Sequence, residues 1–295
     1  MTGTKDISPA EYRRGFALTL FGVLVLTPDT LMIRLIDIDP WTMNFWRGAL
    51  MSFSLLAVCT VMRGRALIGD IRGLGFAGLS VAVIYALNAI SFVSAIEHTR
   101  VANVLIILAA TPLIAALLSV VVLRERVSAA TWAAIAAGIT GVVIVVGDGL
   151  RAGTSLGDIF ALATATALAV TFIIIRRNRH VNMVPAAALG ALLSAVLVAP
   201  LADPMSVPSD SWGLLLLLGL VVMPVAFGLI TLGPKTLPAP EVALLMLLET
   251  VLGPVWVWLV IGEAPSELAL LGGTIVIAAV VLQSAWRLRR RRAAA

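Results

Sequence analysis

The chain has 295 residues, 60% of them hydrophobic and 13% charged, with a formal net charge of +5 and a mean hydropathy of +1.06. Soluble domains carry about 25% charged residues, so this balance excludes a soluble fold of the same size. The basic residues are scattered through short loops, which excludes a nucleic-acid binder with its gathered basic face; the single cysteine, Cys59, excludes an internal disulfide and a cysteine-rich metal site.

A membrane span takes about 20 apolar residues. Read in chain order between charged or turn-rich breaks, the apolar runs predict helices at 15–36, 40–62, 73–95, 100–122 and 128–147, then at 155–176, 182–200, 212–232, 239–261 and 266–286. The first run follows Arg13 and Arg14 but is too long for a signal-peptide core and lacks a small-residue cleavage pattern, so it is read as a retained helix. The breaks are marked by Asp39-Pro40, Arg63-Gly64-Arg65, Arg124-Glu125-Arg126, Gly147-Asp148-Gly149, Arg176-Arg177-Asn178-Arg179, Asp203-Pro204 and Pro238.

Cytoplasmic loops carry the excess of Lys and Arg. With ten helices, the basic residues before the first helix, those of the Arg63–Arg72, Arg124–Arg126 and Arg176–Arg179 loops, Lys235 and the terminal run Arg287–Arg292 fall on one side. Arg34, Arg100 and Arg151 fall on the other, and Arg47 lies within the second helix. Both termini are therefore expected on the cytoplasmic side, with the terminal run touching anionic lipid. An error of one helix would scramble this segregation.

The two halves, 1–150 and 151–295, correspond in sequence. At a shift of 142, Arg34 matches Arg176 and Gly48-Ala49-Leu50 matches Gly190-Ala191-Leu192. Beyond a four-residue contraction the shift is 138, where Val104 matches Val242, Glu125 matches Glu263, Ser128 matches Ser266 and Val142-Val143 matches Val280-Val281. Five helices per half put the second half into the membrane from the opposite side. The expected fold is an all-α membrane protein of ten transmembrane helices, arranged as two inverted five-helix repeats, the architecture of many secondary transporters.

Several stretches resemble the drug/metabolite transporter superfamily, specifically its EamA-type ten-helix members. They are Asn44-Phe45-Trp46-Arg47-Gly48, Thr99-Arg100-Val101-Ala102-Asn103, Thr111-Pro112 and Arg124-Glu125-Arg126 in the first half. In the second they are Pro240-Glu241-Val242-Ala243, Leu248-Glu249-Thr250 and Gly262-Glu263. The resemblance covers nearly the whole chain. It implies a basket of helices around a central cavity that moves amino acids, nucleosides, drugs or other small metabolites, usually outward, and a bacterial inner (plasma) membrane location. It does not choose among substrates.

Ionisable groups inside spans cost about 2.5–3.5 kcal/mol each on insertion scales and are candidates for function. Asp29, Arg47 and Glu249 are the clear ones, with Asp29 and Arg47 each about 6 Å to the outer side of the midplane and Glu249 near its helix centre. Asn88 falls at the depth of the first two. The substrate-binding set is Asp29, Arg47, Tyr85, Asn88, Asn103, Glu249 and Trp256. In it Arg47 takes an anionic group of the substrate, and Asp29 or Glu249 takes an amine or a proton. Asp29 and Arg47 are equally readable as a fixed pair that only ties two helices together. Protonation of Glu249 would remove the burial cost of its charge, which makes a proton the candidate coupling ion.

Glu125 and Glu263 each precede by three residues a serine able to cap the next helix, Ser128 and Ser266, an architectural role near helix N-termini. Pro112, Pro224 and Pro254 interrupt spans and are expected to kink them. Trp46, Tyr85, Phe92, Trp256 and Trp258 are aromatic candidates for stacking on a ligand, or for packing against lipid and other helices. His98 and His180 lie at span ends without metal-ligand spacing, and no Gly-x-x-x-x-Gly-Lys-Ser loop is present, so neither metal nor cofactor is expected.

The functional expectation is a secondary transporter, not an enzyme: an exporter of small polar or amphipathic metabolites such as amino acids, by alternating access, with the lipid bilayer and a small-molecule substrate as its partners. The alternatives are an intramembrane enzyme acting on a lipid-linked substrate, which would call for clustered Asp, Glu or His near one interface, and a membrane scaffold subunit, which would leave the internal charges without a role.

Overall fold

A computed structural model describes residues 8–99, 101–146, 155–262 and 267–293. In the first half the helices are α1 (Pro9–Leu26), α2 (Asp29–Ile36), α3 (Pro40–Arg63), α4 (Ala66–Gly73), α5 (Gly75–His98), α6 (Val101–Leu108), α7 (Thr111–Leu118) and α8 (Ala129–Val146). In the second they are α9 (Ser155–Arg177), α10 (Val184–Val198), α11 (Trp212–Leu217), α12 (Met223–Thr236), α13 (Ala239–Ile261) and α14 (Glu267–Ala293). No strand occurs among the described residues.

Apart from α4, these elements fall on the predicted apolar runs. Among the described residues six helices are long and apolar enough to cross a membrane, Pro9–Ile36, Pro40–Arg63, Gly75–Ala95, Leu156–Arg177, Trp212–Thr236 and Ala239–Ile261. Four shorter apolar helices cover Thr111–Leu123, Ala129–Ile144, Val184–Val198 and Leu270–Trp286. Large apolar side chains are exposed on helix after helix, among them Phe21, Phe53, Phe76, Val121, Leu259 and Leu282. Such a surface suits hydrocarbon and not water.

The predicted helices are interrupted where backbone hydrogen bonding fails. Pro28 has no N–H, and the first run divides there into α1 and α2, with the Thr27 hydroxyl donating to Leu24 C=O at 2.8 Å. Pro112 stands at the start of α7, after the break that separates it from α6. Pro224 opens α12 directly after a π-helical turn at Leu218–Val222. Pro254 lies within the continuous α13. Caps are local: Asp39 accepts from the N–H groups of Trp41 and Thr42, both at 3.0 Å, and Ser128 accepts from Thr131 N–H at 3.2 Å to start α8. Ser266 and Glu263 lie outside the described residues.

The short α4 has no counterpart among the predicted helices. Its eight residues are too few to read as a span, and Asp70 within it receives Arg63 Nε and Nη2 at 2.7 and 2.8 Å. That hydrogen bond to Arg63 holds the half-buried Asp70 carboxyl below the usual carboxylate range.

The halves interlock rather than sit side by side. α3 packs on α10, α8 on α14 and α7 on α13, while α1 packs on α12 and α5 on α9. Small residues permit the closest approaches, as expected where helices associate without a hydrophobic drive. A Cβ on Gly48 would lie 2.6 Å from Ala191 O, and one on Gly190 would lie 2.7 Å from Ala82 O, so α10 is wedged between α3 and α5 through the two glycines that the repeat aligns. Between α8 and α14, a Cβ on Gly141 would lie 2.7 Å from Gly272 O. The largest buried cluster runs through Val23, Leu26, Met51, Phe172, Met223 and Leu248 and draws on both halves.

Candidate functional site

The break between α1 and α2 places Asp29 in the first turn of α2, where the positive end of the helix favours a carboxylate. α3 brings Arg47 against it. Arg47 Nη2 donates to Asp29 Oδ2 at 2.6 Å, and the side chains are only 15% and 9% exposed. The same Nη2 lies 3.3 Å from the Met223 sulfur at the start of α12. Asp29 Oδ1 and Arg47 Nε are buried and have no hydrogen-bond partner, so the pair keeps one acceptor and one donor uncommitted. Buried polar atoms are rarely left so.

Glu249, partly buried on α13, sits within electrostatic range of both Asp29 and Arg47. Trp256 is seven residues further, two helical turns, and so shares its face of α13. Its indole Nε1 donates to the buried Thr27 hydroxyl at 2.8 Å. Three segments that cross in the fold, the α1–α2 break, α3 and α13, therefore converge on one polar cluster with two carboxylates, one guanidinium, a hydroxyl and an indole.

The other expected residues have contacts of their own. Tyr85 is buried and shares a 3.1 Å hydrogen bond with the Thr231 hydroxyl of α12, and its ring meets Phe227 edge-on at 6.2 Å, so its contacts tie α5 to α12. Asn88 lies three residues further along α5, on the same face, with its Oδ1 enclosed and without a partner. Asn103 belongs to α6, but its side chain lies outside the described residues. Among the remaining aromatics, Trp46 donates to Pro204 O at 3.3 Å and packs edge-on against Trp212. Phe92 packs beside Ala95, Val104 and Ala161, and Trp258 is exposed. Sequence reasoning missed Thr27, Met223 and Thr231. Thr27 carried a signal: a Thr-Pro step inside an apolar run marks a helix break that needs a local donor. The other two had none, because only the packing of α12 brings them near Arg47 and Tyr85.

Glu125 does more than stand beside a helix start. Its Oε1 receives Arg176 Nε from α9 at 2.9 Å, a contact between the halves.

A model of the EamA-like transporter family matches residues 13–147 and again residues 155–285. None of the curated proteins matches the chain. A solved crystal structure superposes with a TM-score of 0.78 at 18% sequence identity, over 93% of this chain and 98% of that one. That likeness establishes the fold alone.

Proposed function

The chain belongs to the EamA-like transporter family, and on that premise we propose that it is a secondary carrier that exports a small polar or amphipathic metabolite, such as an amino acid, by alternating access. The observation that carries this reading is the convergence of Asp29, Arg47 and Glu249 from three separate segments of an otherwise apolar bundle. Charges in hydrocarbon are costly, and a cluster of mixed sign with one free donor and one free acceptor matches a substrate that carries both an acidic and a basic group.

The six long and four shorter apolar helices are the ten spans of this proposal, with both termini cytoplasmic. The packing supports two equivalent halves related by inversion. Exchanging each span for its counterpart turns the α1–α12 contact into the α9–α5 contact, and maps the α3–α10, α7–α13 and α8–α14 contacts onto themselves. Twofold-related repeats that swap conformations are what alternating access needs. In this scheme Arg47 and Asp29 hold the substrate, Trp256 covers it, and Glu249 exchanges the coupling proton.

The test is counterflow of radiolabelled amino acids into proteoliposomes across a pH gradient. Saturable, pH-dependent exchange that is lost in Arg47→Gln and loses its pH dependence in Glu249→Gln supports the proposal. Full pH-dependent flux in Glu249→Gln sinks the coupling role, and no exchange across amino acids, nucleosides, polyamines and common drugs sinks the carrier reading.

A further inference from the structure

α7 does not end as a regular helix. Its last turn widens into a π-helical turn at Ser119–Leu123, Glu125 N–H closes onto Ser119 C=O at 3.1 Å, and Arg124 adopts a left-handed backbone with φ 55°. Such turns and such backbone persist where the surroundings hold them, and they gather at functional sites. Here they turn Glu125 toward α9 and Arg176. The Arg176 Nη1 group points at the carbonyl oxygens of Pro234 and Lys235 at 3.5 and 3.4 Å, too long for strong bonds.

Beside this pair lies a cavity of about 220 Å³ whose lining includes Ser119, Glu125, Arg126, Arg176, Pro238 and Pro240. It is separate from the Asp29–Arg47–Glu249 cluster, with which it shares no residue. Ser119 borders the cavity and is fully buried, and its hydroxyl has no partner, a state that costs stability until a ligand or solvent supplies an acceptor. Two guanidinium residues, the largely buried Arg176, paired with Glu125, and the exposed Arg126, line the cavity with a single carboxylate residue, Glu125. The cavity thus holds an excess positive charge beside an unused hydroxyl donor, with two proline rings as an apolar wall.

We propose that this cavity binds a small molecule through one acidic group, a carboxylate or a phosphate. The acid lies between Arg126 and Arg176 and accepts from the Ser119 hydroxyl, and the remainder of the ligand packs on Pro238 and Pro240. Guanidinium is the side chain best matched to such groups. A volume below the roughly 300–1,000 Å³ of drug-sized pockets restricts the ligand to a small one. On the orientation proposed above the cavity opens at the cytoplasmic face, so a soluble metabolite and the headgroup of an anionic lipid both present the required chemistry.

The test uses the full chain in nanodiscs of phosphatidylcholine. Thermal stabilisation by inorganic phosphate and by acetate is read against chloride at equal ionic strength. The expected result is a saturable shift for at least one of the two probes, with an apparent Kd weakened about tenfold in Arg126→Gln and in Ser119→Ala. Both substitutions leave the Arg176–Glu125 pair intact and are small or exposed enough to keep the fold. Repeating the titration with phosphatidylglycerol in the bilayer separates the sources. A wild-type response abolished by this lipid assigns the cavity to the headgroup, and a response that persists assigns it to a soluble acid. No shift beyond chloride, or a shift unchanged in both variants, overturns the proposal and leaves the transport reading standing.

Discussion

Arg47 Nη2 donates to Asp29 Oδ2 at 2.6 Å and thereby fastens α3 to the first turn of α2, at the point where Pro28 has already broken the helix. Removing either partner leaves the other charge uncompensated in a largely dry environment, which costs about 3–5 kcal/mol, whereas removing both together is far milder. Asp29→Asn and Arg47→Gln are each expected to lower the unfolding temperature of the purified protein sharply, and the double substitution to recover most of the loss. Flux then separates the two readings of the pair. A stable double variant that transports at the wild-type rate makes the pair a helix fastener only; a stable double variant without flux makes it part of the binding site.

Gly48 and Gly190 supply a second, purely steric prediction. The Cβ of alanine at position 48 would meet the Ala191 carbonyl oxygen at 2.6 Å, and this is backbone that cannot rotate away. Gly48→Ala is therefore expected to destabilise by about 1–3 kcal/mol, through separation of α3 from α10. Gly213, whose Cβ would meet nothing within 4 Å, is the control, and Gly213→Ala should leave the unfolding temperature nearly unchanged. Equal effects at the two positions would refute the packing argument.

The apolar helices were legible in the sequence because a hydrocarbon layer imposes one dominant signal, a run of apolar residues of fixed length. Asp29, Arg47 and Glu249 were legible for the complementary reason, as charges out of place in such runs. The pairing of Asp29 with Arg47 was open to deduction from depth alone, since both fall at one level. What no local signal carried was lateral placement. Glu125 reads as a residue beside a helix start, and only the fold brings Arg176, 51 positions away, onto it. The same holds for Tyr85, whose partner Thr231 is 146 positions away. α4 escaped because eight residues of mixed polarity fall below the length at which periodicity is informative.

The Arg63–Asp70 pair provides a pH-dependent prediction outside the spans. Asp70 is held below its ordinary value by its hydrogen bond to Arg63. A carboxyl depressed in the folded state contributes stability that is present above its unfolded value and is lost as pH falls through the folded one. Acidification below the usual carboxylate range should therefore loosen the α3–α4 turn, and neutral pH should not. Because both groups are in contact with solvent, salt screens the interaction and the effect is small. Amide hydrogen exchange of residues 63–73, compared between wild type and Asp70→Asn, checks this. Faster exchange in the variant at neutral pH, converging with wild type in acid, is expected, and a difference that grows on acidification contradicts it.

At the shifts of the repeat, the two residues of the Arg176–Glu125 contact have counterparts in the sequence. Arg176 lies in the last turn of α9 and Glu125 follows α7; at the shifts of 142 and 138 their equivalents are Arg34 of α2 and Glu263, which follows α13 and lies outside the described residues. If the halves are related as proposed, the exchange that maps α7–α9 onto α13–α2 carries the ion pair with it, to the opposite face of the membrane. Arg34→Glu should then lower the unfolding temperature, and Glu263→Arg in the same chain should restore it. The expected coupling energy is about 0.5–3 kcal/mol in a double-mutant cycle, as for Arg176→Glu with Glu125→Arg. The crossed combination, Arg34→Glu with Glu125→Arg, joins residues from opposite faces and should show no coupling. Additive effects of the Arg34 and Glu263 substitutions, beside clear coupling of Arg176 with Glu125, would mean that the repeat relates the helices but not their polar contacts, and the two faces would then close by different means.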